Sequence, residues 1–191
     1  MPIDGEQTRL RAIEPDDLGR YVEWLNDPEV TRTLSQRYPI GREVEREILE
    51  RLSRAQSFEQ VAFAIEVRET GEHIGTVSLG RTYYEGRDSG LGIFIGAKQH
   101  WDRGYGTDVM RTVLRFAFWE MNLRTVRLEV LTTNERARRV YERTGFVHEG
   151  TRRGAILRGG VHQDVHVMSV TRDEFEALHG EPPDLRKEAL S

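Results

Sequence analysis

The stretch His100 to Met110 reads HWDRGYGTDVM and joins an apolar run, LGIFIG (Leu91 to Gly96), to a segment with helical spacing of apolar residues. Glycines at such a junction let backbone N–H groups converge at a helix N-terminus, where an anion is favoured, and Arg103 adds positive charge. The phosphate-loop pattern fails, because Thr107 rather than lysine follows Gly106. The dinucleotide fingerprint lacks its third glycine. Two readings remain for the loop taken alone: a diphosphate cradle, or a tight turn that Gly104 and Gly106 permit.

Downstream, Asn134, Ala137 and Tyr141 stand three and seven positions apart in TTNERARRVYERTGF. On a helix they share one face and can meet one ligand. A lone tyrosine is otherwise a packed aromatic with its hydroxyl bonded elsewhere. His162, Asp164 and His166 alternate along one strand face. Neighbours two apart on a strand do not converge on a metal without a further ligand, so no metal is expected.

These residues need elements to hold them. Gln7 to Ile13 alternates as a first strand. Pro15 opens a helix with acidic residues in its first turn, closed by Asn26-Asp27-Pro28. Gly41 to Ser57 is a second helix with Val44, Ile48, Leu49 and Leu52 at helical intervals. Val61 to Arg68 and HIGTVSLG form a hairpin about Thr70-Gly71, and a turn-rich Arg81 to Ser89 leads to the strand Leu91 to Gly96. A helix from Thr107 to Met121 and a strand from Thr125 to Leu131 complete a parallel crossover. Asn134 starts another helix, capped by Gly145, and Phe146 to Gly150 pairs with Val161 to Val170 as a final hairpin.

The 191 residues are enough for one full core. A net charge of -4 argues against general nucleic-acid binding. No apolar run is long enough for a membrane helix, and the N-terminus lacks the basic-then-apolar pattern of a signal peptide, so a cytoplasmic location is expected. The absence of cysteine removes thiolate nucleophiles and disulfides together.

The order LGIFIGAKQHWDRGYGTDVM, strand, TTNERARRVYERTGF resembles the acetyl-CoA-binding core of GNAT superfamily N-acetyltransferases, over Leu91 to Phe146. WLNDPEV (Trp24 to Val30) and GGVHQDVHVMSV resemble the branch with ribosomal-protein N-terminal acetyltransferases and spermidine acetyltransferases. The resemblance implies an α/β (α+β) fold: a mixed, mostly antiparallel sheet of about seven strands flanked by helices, with a parallel pair splayed around acetyl-CoA. One such domain is expected over residues 1–178, and the Pro, Gly and charge content of HGEPPDLRKEALS predicts a loose tail over 179–191, outside the resemblance.

By the same resemblance, Arg103, Gly104, Tyr105, Gly106 and Thr107 hold the diphosphate through backbone amides, with Trp101 and Asp102 just before them. Trp101 stands where the family frequently has Gln or Arg and Asp102 where many members of this branch have Gly, and like charge is expected to turn the Asp102 side chain away from the phosphates. Phe94 and Ile95 offer backbone groups to the pantetheine, Asn134 and Ala137 meet its arm, and Tyr141 protonates the departing thiolate. The reaction implied is direct attack by a primary amine in a ternary complex, with no metal; a catalytically silent CoA-binding module is the alternative. Deprotonating a lysine-like ammonium at pH 7 costs about 4 to 5 kcal/mol, so a base is required. Glu66, Glu85 and Asp88 are the carboxylates considered. Trp24, Tyr84, Glu85, Asp88 and His162 are candidates for the acceptor side, the acceptor being a protein N-terminus, a polyamine or a small amine. Many relatives self-associate, but no dimer seam is legible in the sequence.

Overall fold

The computed structural model describes residues 2–34 and 38–181. A short β1 (Ile3–Asp4) precedes β2 (Thr8–Arg11). Pro15 opens a 3₁₀ turn that runs into α1 (Leu18–Leu25). Asp27 accepts the amide of Glu29 and so starts a four-residue α2 (Pro28–Thr31). α3 (Arg42–Arg54) then crosses to β3 (Gln60–Val67), which forms the expected hairpin with β4 (His73–Tyr83).

β4 also pairs with β5 (Asp88–Ile95), so most of the segment read as turn-rich is strand. The turn itself is shorter than expected. After β5 come α4 (Tyr105–Arg115), a π-helical turn over Phe116–Glu120, and β6 (Thr125–Leu131). α5 (Glu135–Arg143), β7 (Val147–Arg158), β8 (Val161–Thr171) and α6 (Arg172–His179) complete the described chain. The last helix was not anticipated, although Thr171 and Glu174 form a reciprocal capping box at its start. Of the tail expected over 179–191, residues 182–191 lie outside the described residues.

The described strands form one eight-stranded sheet in the order β1-β2-β3-β4-β5-β6-β8-β7, against the about seven expected. Every neighbouring pair is antiparallel except β5–β6. Strand alternation divides the core between the two faces. Phe63 and Ile65 join the cluster under α4, while Ala62 and Ala64 face the smaller cluster of Ile13, Leu18, Tyr21 and Leu49 beneath α1 and α3.

α4 presents Val109, Met110, Val113 and Leu114 to the larger cluster, all fully buried. Its start is tied down by Asp108. That carboxylate accepts the amides of Glu6 at 2.9 Å, Gln7 at 3.0 Å and Thr8 at 2.8 Å, and the Thr8 hydroxyl at 2.6 Å. Burial alone raises its pKa, but these donors outweigh burial and hold it below the ordinary carboxylate value. The first loop of the chain therefore locks the helix that begins at the glycine turn.

Candidate active site

The parallel pair is brief. Asp88, Ser89 and Gly90 pair with Thr125, Val126 and Arg127, and the strands then part. β5 continues along β4 and β6 along β8, leaving facing edges with unpaired peptide groups. Such edges suit an extended ligand that takes the place of a strand. The resulting cleft has a volume of about 1280 Å³ and reaches from the glycine turn to α1 and α3.

Backbone direction in β5 separates two of the expected residues. Gly96 donates to Ile74 of β4 at 2.9 Å, so alternation turns the peptide groups of Ile95 and Ile93 toward the gap and those of Phe94 toward β4. Phe94 instead contributes its ring, set edge-on to Tyr21 and Trp24. Ile95 presents its amide to the cleft, while its carbonyl accepts the Trp101 indole N–H at 2.8 Å. Ile93, unanticipated, presents the next group along the gap.

Gly104 adopts φ 88°, a left-handed conformation suited to glycine, and α4 begins at the following residue. Thr107 and Asp108 donate back to the Gly104 carbonyl at 3.0 and 3.1 Å. The amides of Tyr105 and Gly106 precede the first intrahelical bond and open at the positive end of the helix dipole. Gly104, Gly106 and Thr107 line the cleft beside Trp101 and Asp102. The Tyr105 ring turns away to stack edge-on to His100, and Arg103 is exposed outside the cleft wall.

α5 forms the opposite lip. Asn134 caps it through Oδ1, which accepts the Ala137 amide at 3.2 Å. Arg136 lies 3.9 Å over the Trp101 ring and 3.9 Å from Asp102, drawing that carboxylate toward α5. Arg139 and Arg143 also line the cleft, with no carboxylate at ion-pair distance among the described residues. These arginines were missed. The spacing of 136, 139 and 143, three and seven positions apart, was the available signal, because it groups the three on one helix face, opposite that of Ala137 and Tyr141.

Tyr141 lies on the same wall, 8% exposed, its ring against Phe146. Its hydroxyl bonds to no group among the described residues. Burial pushes its pKa up to about 12, so the phenol stays protonated across the physiological range.

The residues expected on the acceptor side are mostly not brought to the cleft. Trp24 is buried against His73 and Phe94, Tyr84 stacks on Phe58 at 4.5 Å, and Glu85 is exposed on the turn. His162 sits on the outer hairpin beside the Gly154 carbonyl. Asp88 does line the cleft, held by Arg127 at 2.8 Å, and Glu66 is held by Arg11. Asp164 accepts the Gly154 amide and His166 meets His148 edge-on, so the alternating trio spends its side chains on β7 contacts.

The GNAT acetyltransferase domain model matches residues 7–147, and the chain belongs to that family. The N-acetyltransferase YokL, SPbeta prophage-derived and uncharacterized, from Bacillus subtilis, is 29% identical over 179 residues, covering 92% of this chain and 96% of the relative. The spermidine N(1)-acetyltransferase of Vibrio cholerae is 28% identical over 170 residues, covering 88% and 95%. A crystal structure of spermidine N-acetyltransferase from Vibrio cholerae in complex with CoA and spermine superposes with a TM-score of 0.80 at 25% identity, covering 88% of this chain and 98% of that one. The protein is thus an N-acetyltransferase, and acetyl transfer to an amine is its reaction class.

Proposed function

We propose that this N-acetyltransferase takes acetyl-CoA as donor and passes the acetyl group to a primary amine held in the same cleft, by direct attack in a ternary complex. The observation that carries the reading is the union in one cavity of parted strand edges, an open helix N-terminus and an unbonded tyrosine hydroxyl. The donor set fits. Free amides at the start of α4 and the cationic lip of Arg136, Arg139 and Arg143 suit a diphosphate and further phosphate, and the gap beside Ile95 and Ile93 suits an amide-bearing arm.

Acetyl-CoA supplies an activated acetyl thioester. The chain's contribution is placement, charge and a proton. Ile95 offers an N–H to a carbonyl in the gap, and Ala137, lacking a long side chain, lets an arm run close to α5. As the amine nitrogen bonds to the acetyl carbon and the C–S bond breaks, Tyr141 gives its proton to sulfur. The proton lost by nitrogen on forming the amide restores the phenol through water. A phenol raised to about 12 is a weak acid beside a thiol of ordinary pKa about 8.5. The same dry environment also raises the thiol, which narrows the gap.

The acceptor is a protein N-terminus, a polyamine or a small amine. The test is mass spectrometry of amine and peptide libraries incubated with acetyl-CoA, alongside free-thiol release. Acetylated product with matching thiol supports the reading. Tight acetyl-CoA binding without turnover across a broad panel overturns it in favour of a binding module.

A further inference from the structure

The cleft has a second wall, built by α1, α3 and β4, that no sequence motif announced. Leu25, Ile48 and Leu52 give it an apolar lining; Tyr21 and Glu45 are polar members from the helices, and Thr76, Ser78, Arg81 and Tyr83 from β4. Glu45 stands in the first turn of α3 with 0% exposure, and neither carboxylate oxygen has a hydrogen-bond partner among the described residues. The nearby hydroxyls of Tyr21 and Thr76 bond to each other.

The helical pattern makes the residue anomalous. Positions 45, 48, 49 and 52 form the inward stripe of α3, with Ile48, Leu49 and Leu52 apolar, whereas Val44, expected on that stripe, is 54% exposed. A carboxyl at an apolar position pays desolvation, and this one gains no hydrogen bond among the described residues in return. Burial pushes its pKa up to about 7. An acid with no partner among the described residues, lining a substrate-sized cavity beside Leu25, Ile48 and Leu52, suits an alkyl chain ending in a primary ammonium.

Resting on the reading that the chain acetylates a primary amine, we infer that Glu45 is the counter-ion of the acceptor, its carboxylate receiving an ammonium of an alkylamine. Where that ammonium is the reacting one, a single proton passes from nitrogen to carboxylate: an N–H bond breaks, an O–H bond forms, and the nitrogen regains its lone pair. Water accessible through the cleft later removes the proton. The apolar wall holds the alkyl chain and excludes competing water.

The test compares wild type with Glu45→Gln, which keeps the shape, and Glu45→Leu, which completes the apolar stripe. Probes are hexylamine and 1,6-diaminohexane, with thiol release as readout and melting temperature measured with and without acetyl-CoA. Expected for both variants is a loss of about 30-fold or more in kcat/KM for amine, with the KM for acetyl-CoA and its thermal shift unchanged. The melting temperature should hold or rise, since no native bond is removed. Equal losses with the two probes assign the reacting ammonium to Glu45; a loss confined to the diamine assigns the distal one, and both support the counter-ion.

Wild-type kinetics with Glu45→Gln overturns the inference and leaves the proposed function standing. A lower melting temperature in both variants also overturns it, because the carboxyl then serves the fold. Acetyl-CoA binding by wild type without thiol release on any amine defeats the proposed function, and this inference with it.

Discussion

Replacing Asp108 with asparagine tests the clamp that joins the N-terminal loop to the glycine turn. Oδ2 takes the amides of Gln7 and Thr8 and the Thr8 hydroxyl, and Oδ1 takes the amide of Glu6. An asparagine with its carbonyl at the Oδ2 position keeps three acceptor contacts without the charge and sets its NH₂ against the fourth donor. One charge-assisted bond lost at about 1.5 kcal/mol, and three weakened by about 0.5 kcal/mol each, give about 3 kcal/mol. For a chain of this size that lowers the melting temperature by roughly 6 to 12 °C. Urea unfolding gives the free energy directly, and acetyl-CoA titration should show weaker binding as the start of α4 loosens. Gly5→Ala checks the same spot independently, because a Cβ there would lie 2.5 Å from the Thr112 hydroxyl and 2.6 Å from Oδ2. A change below about 1 kcal/mol in Asp108→Asn would refute the reasoning.

Asp17 meets Arg11 at 2.8 Å and His73 at 3.1 Å; burial alone raises its pKa, but these partners carry it well below the ordinary value. A depressed carboxylate contributes stability above its unfolded pKa of about 3.9 and loses it as pH falls toward the folded value. Wild type should therefore lose stability progressively below about pH 4, and Asp17→Asn should flatten that limb in pH-dependent urea melts. Arg139→Ala and Arg143→Ala should each weaken acetyl-CoA binding by about three- to tenfold, and the double variant should show a smaller salt dependence of Kd.

The helices and strands from Leu91 to Phe146 were legible because the glycine turn, the Asn134 cap and the apolar period of α4 all agree with the tertiary fold. β1, only two residues long, carries no periodic signal. The extension of β4 to Tyr83 was hidden by polar and glycine residues that the strand tolerates at a register shift after Gly80. On the cofactor side, one ordered motif located the glycine turn and the Asn134 face. The wall proposed for the acceptor resisted reading because it is assembled from α1, α3 and β4, far apart in sequence, and depends on packing. That is why Trp24 reads as a candidate for the acceptor side yet packs inward, and why no motif singles out Glu45, which lies at 0% exposure.

The central claim is that Tyr141 delivers the proton that releases the thiol. Its most direct test is single-turnover thiol release by Tyr141→Phe with acetyl-CoA bound and an accepted amine at saturation. The account predicts a rate lowered by about 100-fold or more with the Kd for acetyl-CoA unchanged. A wild-type rate in that variant would contradict it.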